Sequence, residues 1–515
     1  MEPRDKTRLL LGLGLATGAE FYTFDAMNLV LVDMAGTLGV SFDEASWLLT
    51  LYSSTLFLGV PVCIWLAGHF GYKRYLIGTT LLFAAASVGC MLAPDFDTLL
   101  MLRAVQGFAG AGLVVWWRAA IYVLMPKPER SPALMRVSVL LYLGSAAGLV
   151  LGGTLTDAFN WRLIFLPVPV LAAAAVWLIH RHFPTLPPPA TPRLAGTDWP
   201  GIAFLALSLI SLQILLNRGH IDDWLESPYI RLLLWISLCA FAAFIWWQTS
   251  PRNRAPLLCL DLLLDRRVVS SALIGIFTGM ILSGSLYVLP EYLRNVASPR
   301  LSAAQTGRVM CLYALSAAAI RPFMVGLIAR IGQRKTILGA LIALIIAMLI
   351  LHRLLGTATP AYYYALPLLF YACCLSPLLP AVGSGTVAKI EQDKLLDGVS
   401  LYMTFRQFGA SLGVALLSIL IEERESLHSS RLFQHLQEAG GVTISWLTRS
   451  AGAIITRAGV APGQAADMAT GLLHEAGRRQ AETLANADAF LFMAGVGLMA
   501  LCLIPIIPPT PPMKK

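Results

Sequence analysis

The chain has 515 residues, 57% of them hydrophobic and only 13% charged, where a soluble domain carries about 25% charged residues. With a mean hydropathy of +0.70, this composition excludes an ordinary soluble domain and fits a polytopic membrane protein. The net charge of +9 reads as basic cytoplasmic loops, and no nucleic-acid partner is expected, because membrane proteins keep Lys and Arg on the cytoplasmic side.

The apolar runs are continuous and about 18–25 residues long, as membrane-spanning helices require. Strands of a membrane barrel would alternate apolar and polar over roughly ten residues. The first run, roughly 9–34, follows Arg4, Lys6 and Arg8. It is too long for a signal-peptide core and reads as a retained first span. Spans follow at roughly 46–67, 75–93, 98–125, 134–156 and 163–182, then a Pro-rich stretch at 184–200 that reads as a cytoplasmic linker. Two less regular spans lie at roughly 199–217 and 229–248, and six more at roughly 268–290, 305–328, 336–353, 361–386, 398–420 and 488–507. Residues 421–487 read as one long outer loop with short amphipathic surface helices. Seven of the eight Cys lie in apolar segments and Cys259 near a membrane edge, without metal-ligand spacing or a disulfide framework.

With the N-terminus cytoplasmic, Lys and Arg favour the cytoplasmic segments by about three to one. Fourteen spans then place both termini inside. The turn Gly71-Tyr72-Lys73-Arg74 after the second span is echoed by Gly332-Gln333-Arg334-Lys335 after the tenth. Matching turns in corresponding places suggest two halves related by a parallel repeat, a transporter architecture.

These residues resemble the major facilitator superfamily. "WLAGHFGYKRYL" (65–76) is similar to its loop between spans 2 and 3, and "LRAVQGFAGAG" (102–112) to its R-x-x-Q-G signature, here Arg103, Gln106 and Gly107. "GSAAGLVLGG" (144–153) resembles the antiporter motif G-x-x-x-G-P-x-x-G-G through Gly144, Gly148, Gly152 and Gly153, with Leu149 in place of its Pro. "LNRGHIDDW" (216–224) and "FRQFGASLG" (405–413) look like the fourteen-span, EmrB/QacA-like drug:proton antiporters. In the first motif Gly68 stands where the family usually has Asp. The resemblance implies an all-α major facilitator fold of 14 transmembrane helices: a six-helix bundle over 1–182, a linker and two additional spans over 183–267, and a second bundle over 268–515. It also implies a bacterial inner-membrane location, with a periplasmic adaptor protein and an outer-membrane channel as partners beside membrane lipid. The loop 421–487 would be the docking surface.

An ionised group at mid-bilayer costs about 2.5–3.5 kcal/mol or more, so deep charges mark candidate sites. Glu20 and Asp25 are the only acids away from span edges. Asp25 lies about 24 Å along the first helix and falls on the family's first-span acid; Glu20 does not. Burial favours the protonated acid and a nearby Arg favours the carboxylate, so a site alternating between those conditions binds and releases a proton. Asp25, Glu20 and Arg103 are the expected proton-coupling residues. Tyr22, Asp25 and Asn28 are expected to form one polar stripe. The other deep cations are Arg118, Arg321 and Arg406. With Tyr22, Asn28 and Trp117 they are expected to line the substrate cavity, and Glu20 is a candidate to pair with Arg118. Each of these residues also has a purely structural role open to it, such as helix bridging for the arginines and close packing for the glycines.

The function expected is secondary export of amphipathic small molecules in exchange for protons, with no cofactor beyond the proton gradient. An importer or exporter of one metabolite or siderophore on the same fold, or a membrane scaffold, are the alternatives. An enzyme is not expected, since no nucleotide loop, metal cluster or nucleophile constellation is visible.

Overall fold

The computed structural model describes residues 2–184, 198–219, 221–253, 256–258, 260–357, 359–387 and 395–506. The Pro-rich linker falls almost wholly outside them, as does Cys259. The described residues are almost entirely helical and contain no strand. The α-helices are α1 (Pro3–Leu38), α2 (Phe42–Phe70), α3 (Tyr72–Leu92), α4 (Phe96–Leu124), α5 (Lys127–Ala158), α6 (Pro167–His182), α7 (Trp199–Arg218), α8 (Pro228–Thr249), α9 (Arg266–Glu291), α10 (Ala303–Ile331), α11 (Gln333–Leu354), α12 (Ala365–Val387), α13 (Leu395–Glu438), α14 (Gly440–Ala458) and α15 (Pro462–Cys502).

Local chemistry sets the helix ends. Ser41 with Glu44, and Ser302 with Gln305, close reciprocal capping boxes at the starts of α2 and α10. Asp95 caps α4 and Asp198 caps α7. Gly71 and Gly332 each separate two helices at a φ of 85° and 87°, a backbone that residues with a Cβ rarely adopt. The two basic turns therefore share one conformation, as their sequence echo predicts.

Among the described residues, twelve helices are long and apolar enough to cross a membrane: α2 to α9, α11 to α13 and α15, with α6 counted from Trp161. α1, of 36 residues, holds Glu20 and Asp25 at its middle, and α10, of 29 residues, holds Arg308, Arg321 and Arg330. One apolar core runs through both halves, from Leu9 on α1 to Ala500 on α15.

Glycines set the closest approaches. A Cβ on Gly144 would overlap the Gly18 backbone, one on Gly148 the Tyr22 backbone, and one on Gly152 would lie 2.9 Å from Ala26 Cβ. The other face of α5 meets α10, where Gly153 abuts the Ala303 carbonyl and Gly307 the Leu149 carbonyl. In the second half, Gly409 and Gly413 of α13 pack in the same way on Ile276 and Met280 of α9. α7 and α8 pack on each other, and α7 lies against both α2 and α13. Ser411 of α13 donates to Gln213 of α7 at 2.6 Å. α7 thus bridges α2 and α13.

The segment 421–487 forms one short surface helix, α14, none of whose residues is buried. Its larger part continues α13, of 44 residues, and α15, of 41 residues, and only α14 is separate. No Gly or Pro interrupts 421–438, so nothing stops the helix until Gly440. Arg478–Glu482 and Arg479–Glu475 pairs, four residues apart, support the α15 extension. At 1.5 Å per residue α13 is about 66 Å long, roughly twice the hydrocarbon thickness of a bilayer.

Candidate functional site

Glu20 and Asp25 are both buried, at 3% and 7% exposure. They face different helices, as about 140° of helical rotation between them requires. Glu20 accepts from the Tyr52 hydroxyl of α2 at 2.9 Å, and its Cγ lies beside Gly110 of α4. Asp25 accepts from the Ser145 hydroxyl of α5. Gly144 and Gly148 flank Ser145, so the motif that draws α5 onto α1 also delivers the hydroxyl to Asp25.

Arg103 is fully buried, at 0% exposure. Its Nη1 donates to Gln106 Oε1 at 2.5 Å, and Gln106 Nε2 donates to Ser87 Oγ of α3 at 2.6 Å. The R-x-x-Q spacing places both side chains on one helix face. The Arg103 guanidinium lies 4.1 Å from the centroid of the Tyr52 ring, the same ring whose hydroxyl holds Glu20. One polar chain thus runs from α3 through α4 and α2 to α1. Gly107 lets α4 approach α2, since a Cβ there would overlap the Tyr52 carbonyl.

Two expectations are corrected. Glu20 does not pair with Arg118: Tyr52 takes the acid, and the Arg118 guanidinium sits 4.1 Å over the Trp117 ring. Arg118 reaches across to α13 instead, with Nη1 at 3.8 Å from Met403 Sδ. Similar depth along two helices does not fix their rotation, and rotation decided the partners. Nor do Tyr22, Asp25 and Asn28 form one stripe. Three residues turn a helix by 300°, so each step drifts by about 60°. Tyr22 and Asp25 are buried, whereas Asn28 is exposed and donates to the Phe24 carbonyl of its own helix at 2.9 Å.

The remaining cations come from the second half. Arg321 of α10 is buried, donates to the Ser376 carbonyl at 2.7 Å and lies 5.3 Å from the Tyr142 ring of α5. Arg406 of α13 is half-buried, its Nε without a hydrogen-bond partner. Arg321 and Arg406 both lie within electrostatic reach of Arg118, Glu20 lies within that of Arg406, and none of the three arginines forms an ion pair among the described residues. Tyr142, Tyr313 and Tyr371 meet in series, edge-to-face and then tilted, with centroids 6.3 and 5.9 Å apart. The site is therefore a seam between α1, α4 and α5 on one side and α10, α12 and α13 on the other. Acids lie in the first half, and two of the three unpaired cations in the second. Lys73 and Arg74 lie apart from it, half-buried and exposed at the turn after Gly71.

Sequence reasoning missed Tyr52, Ser145 and Met403. A signal existed only for Ser145, which sits inside the glycine motif.

Contacts bridge the seam towards both ends. At the end opposite the basic turns, Arg294, in the turn after α9, donates to the Leu29 carbonyl and pairs with Asp33 at 2.9 Å. Asp157 there accepts from Ala304 N, at the start of α10, at 3.0 Å. Towards the basic end, Ser400 of α13 donates to the Val60 carbonyl of α2 at 3.5 Å, beside the Arg118–Met403 contact.

The family model described as Major Facilitator Superfamily matches residues 13–414. The Multidrug export protein EmrB of Haemophilus influenzae is 24% identical over 449 residues, covering 85% of each chain. The Probable multidrug resistance protein EmrY of Escherichia coli is 26% identical over 439 residues, 82% of this chain and 81% of its own. The Fatty acid resistance protein FarB of Neisseria gonorrhoeae is 24% identical over 514 residues, 96% of this chain and 94% of its own. Among solved structures, the human organic anion transporter MFSD10 (TETRAN) superposes with a TM-score of 0.60 over 98% of this chain and 100% of that one, at 17% identity.

Proposed function

Because the chain belongs to the Major Facilitator Superfamily, and is therefore a multi-pass membrane transporter by family, we propose that it exports amphipathic small molecules in exchange for protons. The observation that carries this reading is Asp25. It is a deep acid whose hydrogen-bond partner is a neutral hydroxyl, on the interface between α1 and α5, the helix that packs on α10 of the second half. Such an acid changes charge at little structural cost. Protonation removes a buried charge and so eases movement of α1 and α5 through the low-dielectric seam. Release of the proton on the other side resets the cycle. Relatives named for multidrug export, along most of the chain, support the same reading.

In this scheme Glu20, Tyr52 and Arg103 hold α1, α2 and α4 in register, and Asp25 carries the exchangeable proton. Substrate binds between the halves, against Tyr22, Trp117, Arg118, Arg321 and Arg406. Fourteen spans, with α1 and α10 added to the twelve apolar helices, place the basic turns Lys73-Arg74 and Arg334-Lys335 in the cytoplasm with both termini. Residues 1–182 and 268–515 are then the rocking halves, and 183–267 the linker and two additional spans. The membrane is the bacterial inner membrane, and the extensions of α13 and α15 with α14 receive a periplasmic adaptor leading to an outer-membrane channel.

Efflux from everted vesicles under an imposed pH gradient, with a panel of amphipathic substrates, tests the coupling. Asp25→Asn is expected to abolish gradient-driven movement while leaving the protein folded. Undiminished gradient-driven transport by Asp25→Asn would sink the assignment. Deleting the 421–487 projection should abolish adaptor binding, and retained binding would place the docking surface elsewhere.

A further inference from the structure

The buried polar atoms left without a partner around the seam share one character. Tyr22 Oη, Trp117 Nε1, Tyr371 Oη, Arg321 Nε and Arg406 Nε are all able to donate, and none has an acceptor. A buried donor without an acceptor costs about 1–3 kcal/mol, more when charged. No hydrogen bond joins these groups to the acids of the seam, where Glu20 accepts from Tyr52 and Asp25 from Ser145. The deep cations Arg103, Arg118, Arg321 and Arg406 outnumber the deep acids Glu20 and Asp25, and Arg321 and Arg406 both lie within electrostatic reach of Arg118. Like charges held together in a low-dielectric seam repel, and an anion entering it relieves both the repulsion and the orphaned donors. Beside the guanidinium groups lie the rings of Trp117 and Tyr142, with Tyr313 next to Tyr142. Such walls suit an apolar or aromatic body.

We propose that the seam takes amphipathic organic anions. A carboxylate or sulfonate is held by Arg321 and Arg406 with Arg118 as the third cation, and the apolar body lies along Trp117, Tyr142 and Tyr313. The proposal rests on the export reading and names the substrate class of that site. A cationic amphiphile meets these arginines as like charges, and a neutral one leaves them unpaired.

Equilibrium binding to the purified full chain in detergent tests the class without requiring transport. The probes are anilinonaphthalene sulfonate, its neutral relative N-phenylnaphthylamine, and the cation ethidium, read by saturable energy transfer from tryptophan. The sulfonate is expected to bind at least about tenfold more tightly than either other probe, the loss of one charged hydrogen bond being worth about that factor. Arg321→Gln and Arg406→Gln are each expected to weaken sulfonate binding about tenfold or more relative to the neutral probe, with partial recovery in Arg321→Lys and Arg406→Lys. The ranking of the three probes on the wild-type chain needs no variant, so it decides the question even if a glutamine variant fails to elute as a folded species. Equal or tighter binding of the neutral or cationic probe would overturn the anion assignment, as would equal weakening of all probes by the arginine variants. Flux of the same probes in proteoliposomes under a pH gradient separates the two readings. Sulfonate binding without gradient-driven movement rejects export and keeps the anion site. Gradient-driven movement of ethidium or the neutral probe, but not the sulfonate, keeps export and rejects the anion class.

Discussion

Tyr52 serves two neighbours at once: its hydroxyl donates to Glu20 and its ring carries Arg103. The two roles are separable. Tyr52→Phe keeps the ring and strands the buried acid, so it is expected to destabilise the protein by about 1–3 kcal/mol. Tyr52→Leu removes the cation–π contact as well and is expected to cost roughly a further 1 kcal/mol. Thermal unfolding of the detergent-solubilised variants gives the order; a Tyr52→Phe midpoint equal to that of wild type would show that Glu20 needs no donor. The acids themselves were legible in the sequence, because a carboxyl in an apolar run is anomalous on sight. Their partners were not, since Tyr52 is 32 residues from Glu20 and Ser145 is 120 residues from Asp25. Serine and tyrosine are ordinary residues in a span, and only packing brings them to the acids. The R-x-x-Q pair was legible for the opposite reason, both members lying on one turn of one helix.

At the scale of the element, α5 is gripped on two faces by backbone-to-backbone contacts that tolerate no side chain. Gly148→Leu is expected to force α1 away from α5 and to destabilise by at least the 1–3 kcal/mol typical of overpacking. It is also expected to pull Ser145 from Asp25, so that coupling falls along with stability in the vesicle assay. The four-residue glycine spacing is itself the sign of such a close helix contact. The root of α7 carries no comparable sign. Asp198 is buried and accepts from Gly201 N at 2.9 Å, Trp247 Nε1 at 2.6 Å, Gln248 Nε2 at 2.6 Å and Asn253 Nδ2 at 3.0 Å. It ends a Pro-rich stretch and reads in sequence as part of a polar linker, because most of its donors come from the far end of α8 and the residues after it. Asp198→Ala orphans those donors and is expected to cost on the order of 2–4 kcal/mol, read as a lowered unfolding midpoint. An unchanged midpoint would mean that water replaces the carboxylate.

At the scale of the whole molecule, α5 packs closely on α10, and charged contacts join the same two sides at one end, Asp33 with Arg294 and Asp157 with the start of α10. If the first holds that end shut, Asp33→Arg should impair transport, and Asp33→Arg with Arg294→Asp should recover much of it. Failure of the double variant to exceed the single one would indicate no coupling. The shared conformation of the paired basic turns was legible in their matching sequence, whereas the contact of α7 with both α2 and α13 was not, because a peripheral helix and a bundle helix are equally apolar in sequence. α13 belongs to both descriptions: it bears Arg406 in the seam and runs unbroken to Glu438. From Arg406 to Glu438 is about 48 Å of helix at 1.5 Å per residue. Turning as one body, α13 acts as a pointer. A tilt of about 10° at Arg406 sweeps its tip through roughly 8 Å by that same length. The projection therefore magnifies small rearrangements of the binding seam into displacements far from it, and a load on the tip is felt, with the same leverage, at Arg406.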